Sequence, residues 1–186
     1  MDKAKAQDLA SSGLIANTSS AESLVALGRF TFECIGADGK IKWVEETPNL
    51  VVNEGLQYMA GTSLDGATAR FTSWFVGLKA SGAPAAGDTL GSHTWLELAG
   101  GTAYTGTRPA ATFAAATTAN PSVVTNSANK ASFAIIQTNT VAGAFLCNVA
   151  SGTSGTLFSA SDFTGGSRSV VNGDTLQVTY TFSLSA

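Results

Sequence analysis

The stretch Thr175-Leu176-Gln177-Val178-Thr179-Tyr180-Thr181-Phe182-Ser183-Leu184 alternates apolar and polar side chains without a break. Successive side chains of a strand point to opposite faces, so this pattern predicts a half-buried β-strand. Leu176, Val178, Tyr180, Phe182 and Leu184 face one way. Thr175, Gln177, Thr179, Thr181 and Ser183 face the other. Just before it, Asn172-Gly173-Asp174 supplies the residues of a tight hairpin turn, which joins it to a strand at Arg168–Val171.

Moving outward, Ala131–Gln137, Ala142–Val149 and Thr156–Ala160 also read as strands. Near the other end, Phe30, Phe32 and Cys34 alternate with Thr31 and Glu33. Ala37-Asp38-Gly39-Lys40 then forms a turn, and Ile41 and Trp43 begin the return strand. Residues 29–46 are therefore a predicted hairpin. Thr47-Pro48-Asn49 breaks it. Asn53 is positioned to cap a short helix through Gln57, Tyr58, Met59 and Ala60, stopped by Gly61. Leu56, Met59 and Ala60 would share one face of that helix, while Gly55 weakens it.

Phe71–Leu78 is nearly continuous in apolar character, the mark of a central strand buried on both sides. Ala80–Ala119 reads as loop, with Pro84, Pro109 and several glycines, and short strands around Thr94–Leu98 and Ala110–Ala114. So long a loop is uncommon unless it has a function, which makes it the first place to look for partner contacts. The fold expected is all-β: an antiparallel β-sandwich or jelly-roll-like barrel with one short helix, as a single domain over 28–186. Strand order is left open between jelly-roll and immunoglobulin-like. No fixed-period repeat points to a solenoid or propeller.

Residues 1–27 differ from the rest, being rich in Ala and Ser and free of aromatic residues. Ser19-Ser20-Ala21-Glu22 fits a capping box, after which Ser23–Leu27 would make one or two helical turns ended by Gly28. So short a helix is marginal alone. The segment reads as an arm that orders against a partner or the body, or else as a plain disordered tail. It lacks the apolar stretch of a signal peptide, and no run approaches the roughly 18 apolar residues of a membrane helix. Synthesis in the cytoplasm without standard export is the expectation.

Only 12% of residues are charged, against about 25% in typical soluble domains. After Glu97 the charged residues are Arg108, Lys130, Asp162, Arg168 and Asp174. The C-terminal half must then cover itself with Ser, Thr, Asn and Gly. Such a surface repels neighbours weakly, which suits a protein packed in an assembly. A secreted β domain with a neutral surface fits the composition as well. With net charge -3 and no basic stripe, nucleic-acid binding has no support. Cys34 and Cys147 lie in strand-like runs, and two buried thiols are favoured over a disulfide.

Candidate chemistry is sparse. The one histidine, His93, lies in the long loop, where a solvent-facing or hydrogen-bonding role is the ordinary one. No serine sits in G-x-S-x-G. One His and two distant Cys do not make a zinc site. Glu45-Glu46 would point to opposite faces of a strand and read as its solvated end. A glycosidase pair would have to be assembled from distant carboxylates, and beyond Glu97 only Asp162 and Asp174 remain, both in turn-like contexts. Thr164-Gly165-Gly166-Ser167 lacks the Gly-Lys-Ser/Thr of a phosphate-binding loop. Trp43, Trp74 and Trp95 are candidates for a sugar-stacking platform, although Trp43 and Trp74 sit in core patterns. No catalytic, cofactor-binding or metal-binding residue is assigned.

The stretch from Trp43 through Asn49-Leu50-Val51-Val52-Asn53-Glu54-Gly55-Leu56, then Trp74-Phe75-Val76-Gly77-Leu78, resembles small β-rich structural proteins of tailed-bacteriophage virions. So does the ending Arg168–Thr181. The resemblance spans about residues 29–186, leaves out the arm, and rests on turns and core strands. It implies a non-enzymatic virion component, foremost a capsid decoration (cement) protein that binds the outer shell and bridges capsomers. The alternative it implies is a head-fibre or tail-fibre subunit or adaptor, with possible host-glycan binding. The partners implied are the major capsid protein and other copies of this chain in a dimer or trimer. A small glycan-active enzyme is the competing reading from another class.

Overall fold

The computed structural model describes residues 24–186; the capping box at Ser19–Glu22 lies outside them. The described chain is mostly β, and its strand pairs are antiparallel. β12, Thr175–Ser185, runs as its alternation predicts, with Leu176, Val178, Tyr180 and Phe182 buried. It pairs along its length with β1, Val25–Ile35, whose hairpin partner is β2, Ile41–Pro48. On its other side β12 pairs with two short strands laid end to end, β6 (Ser122–Thr125) and β7 (Ala131–Ala134). Where those strands part, buried Asn126 fills the gap in the ladder. Its Oδ1 accepts from Tyr180 N at 2.6 Å and its Nδ2 donates to the Val178 carbonyl at 3.3 Å.

The second sheet has the order β3-β10-β9-β4-β5. Its strands are Leu50–Val51, Leu157–Ala160, Gly143–Cys147, Phe75–Ser81 and Leu96–Leu98. A two-stranded ribbon joins β8, Asn139–Val141, to β11, Arg168–Val170. Phe30, Phe32, Val178 and Tyr180 from the first sheet and Val76, Leu78, Leu146 and Phe158 from the second share one core. The arrangement is sandwich-like, and its sheets do not close into a barrel. Among the described residues no helix is long and apolar enough to cross a membrane.

Five local expectations are corrected. Val25–Leu27, read as helical turns, extend β1 by pairing with Ser185, Leu184 and Ser183. A short helix repays its nucleation cost poorly, whereas the end of β12 offers ready ladder partners. The central strand begins at Phe75 rather than Phe71, because Phe71 and Trp74 are drawn into an aromatic cluster with Tyr58.

The helix α1 spans Asn53–Ala60, but Asn53 is not its cap: Val52 holds that place, with no side-chain cap bond. Nor does Gly61 stop it. The chain continues through a π-turn, Gly61–Asp65, to Gly66 at φ 64°. Thr62 and Ser63 hydroxyls donate back to the Tyr58 and Met59 carbonyls and help hold this extra turn. The expected Leu56 face is also displaced. Leu56 is exposed and Gly55 is buried, because the helix backbone lies on the Phe158 carbonyl, 2.2 Å from where a Gly55 Cβ would be.

Candidate functional site

The long segment after β4 is not an open loop. β9 is buried at every position, and that requires a layer on each side of its sheet. One layer is the shared core. The other is the segment after Ser81, whose Leu90 and Trp95 pack with Phe145, Cys147 and Leu157. The Asp88 carboxylate holds this cover in shape, accepting from Ala85 N at 2.9 Å and Trp95 Nε1 at 3.0 Å. Farther along, Arg108 is buried and donates through Nε and Nη2 to the two oxygens of Glu97, each at 2.7 Å. It also donates to the Val149 carbonyl at 3.1 Å and stands 5.1 Å from the centre of the Phe145 ring. The expected strand around Thr94–Leu98 is present as β5. At Ala110–Ala114 only a single bridge to Phe75 forms, with Ala111 N donating to the Trp74 carbonyl.

Two cavities lie along this segment. The larger, about 850 Å³, opens between Phe71–Phe75 and Ala110–Ala116, over a floor that includes Phe158, Tyr180 and Phe182. Its lining is aromatic, with Phe71, Trp74 and Phe113 at the sides and Arg70 among the residues around it. The smaller, about 240 Å³, lies beside the Arg108–Glu97 pair and is lined in part by Tyr104. The Tyr104 hydroxyl is buried without a hydrogen-bond partner, and burial raises its pKa.

The residues singled out from sequence are placed as follows. The His93 ring stacks on Trp95 at 3.5 Å and 5°, with Nδ1 2.9 Å from the Trp95 carbonyl oxygen, so its contacts serve the cover over β9. Cys34 and Cys147 are buried free thiols. Burial, then the Asp174 carboxylate, pushes Cys34 up to about 11, and burial raises Cys147. Neither has the lowered pKa of a nucleophile at neutral pH. The three tryptophans do not form one platform: Trp43 packs on Phe163, Trp74 on Tyr58 and Phe158, and Trp95 on Phe145 and His93.

Glu46 is the solvated end that was expected, paired with Arg29 at 2.6 Å, but Glu45 is largely covered and accepts from Arg168 Nη2 at 2.7 Å. Asp174 accepts from Lys42 at 2.7 Å and Val171 N at 2.9 Å. The glycines at 165–166 form a turn. Among the described residues no three of His, Cys, Asp and Glu come together as metal ligands do. Seven ion pairs engage every described Lys and Arg except Arg70. Sequence reading passed over Lys79, Glu97, Tyr104 and Arg108. For Lys79, Glu97 and Arg108 the signal is a charge inside or beside an apolar run where charge is scarce, whereas Tyr104 carries no such signal.

The outward side of β1 is apolar at its start. Leu24, Val25 and Leu27 are exposed, and farther along the sheet so are Ile41 and Val44 of β2. Comparison with family models, characterised proteins and solved structures finds no match to this chain.

Proposed function

We propose that this chain is a non-enzymatic structural protein of a phage virion, and specifically a capsid decoration protein that binds the outer shell and bridges capsomers. The observation that carries the reading is the outward face of the first sheet. Its β12 side presents Thr175, Gln177, Thr179, Thr181 and Ser183, its charges are taken up by Arg29–Glu46 and Lys130–Glu33, and Leu24, Val25 and Leu27 stand exposed at the edge where residues 1–23 join. A neutral face with an apolar margin costs little to desolvate against a neighbouring subunit. The partners proposed are the major capsid protein and further copies of this chain.

The test is the copy number of the chain in purified virions, measured by quantitative mass spectrometry against the major capsid protein. A ratio near that of the capsid protein is expected. A few to a few tens of copies would replace the reading with a head-fibre or tail-fibre role, and absence from the particle would overturn both. A companion truncation should remove residues 1–23 only, because Val25–Leu27 belong to β1. Attachment to capsids is expected to weaken while the β fold persists.

A further inference from the structure

β4 is an apolar strand with one lysine inside it, in the run Val76-Gly77-Leu78-Lys79-Ala80. The Lys79 side chain is 0% exposed. It lies on the side of the sheet covered by the long segment, with Nζ 5.6 Å from the centre of the Trp95 ring. Nζ is 2.5 Å from Asp162 Oδ1 and 3.2 Å from the Ser161 carbonyl oxygen. The side chain reaches that far because its register partner on β9 is Gly143, which leaves the path across the strand open. A Cβ at Gly143 would fall 2.0 Å from the Ser161 oxygen.

Both ends of the pair are held by backbone. Lys79 O accepts from Ala142 N, Ser161 N donates to Ala144 O, and Phe163 N donates to Ala142 O. The Asp162 carbonyl accepts from the Thr47 hydroxyl at 2.5 Å.

We propose that Lys79 and Asp162 condense to an intramolecular isopeptide bond that ties β4 to the chain segment following β10. The ammonium first passes a proton to the carboxylate, leaving a neutral amine beside a neutral carboxylic acid. Nζ attacks Cγ, the C–N bond forms and the C–OH bond breaks. The hydroxyl leaves as water with the proton shed by nitrogen, so no oxidant or activated co-reactant is needed.

Three features favour the step. A buried ammonium is costly, and burial lowers the Lys79 pKa even against its bond to Asp162. Effective concentrations of groups held in contact within one fold reach about 10⁵–10⁸ M when they are well oriented. The product replaces the buried ammonium and its carboxylate partner with a neutral amide, which removes the cost of keeping the Lys79 charge out of water. The Asp162 side chain is 36% exposed, which gives the released water a way out. The buried carboxylate of Asp88, fixed by Trp95 Nε1, is the second acid whose charge acts on Lys79.

The experiment is the intact mass of the full chain under denaturing conditions, followed by tryptic mapping. The expected mass is below the sequence value by one water, about 18 Da. Trypsin does not cut after an acylated lysine or at Arg108-Pro109, so fragments 71–130 and 131–168 should remain joined. K79R and D162A should each restore the sequence mass. The sequence mass in the unmodified chain would overturn the proposal. So would the same mass loss with fragments 71–79 and 131–168 released separately, since a succinimide at Asp38-Gly39 or Asp65-Gly66 loses water too. Should either variant fail to fold, the wild-type mass and its fragment map decide the question by themselves.

Discussion

Replacing Arg108 with leucine should loosen the cover over β9. The guanidinium makes two 2.7 Å bonds to Glu97 and one of 3.1 Å to the Val149 carbonyl, and it lies over Phe145. Leucine keeps an apolar stem but leaves Glu97 without its cation. Removing one partner of a buried pair costs about 3–5 kcal/mol. Glu97 is 25% exposed, and the Cys147 thiol still contacts the Val149 carbonyl at 3.3 Å, so the lower end of that range applies, about 3 kcal/mol. For a chain of this size that corresponds to a fall in Tm of about 6–12 °C.

Urea and thermal unfolding followed by circular dichroism would read this, and in a W43F/W74F background the remaining Trp95 fluorescence would report locally on the cover. E97Q strands the arginine instead and should cost a similar amount. The R108L/E97Q double variant should then cost less than the sum of the two singles, with a coupling of about 1–3 kcal/mol. Single losses under about 1 kcal/mol that simply add would refute the idea that this pair holds the segment down, since that is how an exposed pair behaves.

Y180F removes the hydroxyl that accepts from Asn49 Nδ2 at 2.9 Å and contacts the Ser159 hydroxyl at 3.3 Å, so a loss of about 1–3 kcal/mol is expected in urea unfolding. Cys34 and Cys147 should stay unlabelled by a thiol-disulfide reagent at pH 8 in the folded protein and react fully in denaturant, since both are buried and burial raises the pKa of each thiol. Asp174 is pushed up by burial but held below the ordinary carboxylate range on balance, by Lys42 and the Val171 N–H. Its folded pKa is the lower one, so its contribution is present above the unfolded pKa and lost as pH falls through the folded value. D174N should therefore reduce stability at pH 7 and flatten the acid limb of a stability–pH curve.

Some of this protein could be read directly from its residues. The alternation in β12 and in Phe30–Cys34 depends only on the two-residue period of a strand, and the hairpin turn at Asp38-Gly39 depends on its own backbone preference. The turn at Asn172-Gly173 forms as well, but it does not make the expected hairpin: β11 before it pairs with β8, while β12 pairs with β1, β6 and β7. Those local rules gave the all-β, antiparallel class and most of the C-terminal strands. The short strand Ser122–Thr125 escaped, because four residues carry too little periodicity and its place is set by Asn126 engaging Tyr180 and Val178 across the ladder.

What only tertiary structure decided is where chain segments distant in sequence meet. The sequence pattern made Gly55 a weak point of a helix, whereas packing makes it the position where the helix touches Phe158. The long segment looked free because its residues lack periodicity. It is packed because β9 is apolar on both faces and needs a second cover. Lys79 meets Asp162, and Arg108 meets Glu97 and Val149, through a sheet order that no local pattern encodes. Burial turns those few charges from solvating groups into internal fastenings, because a charge removed from water must find its partner inside the protein.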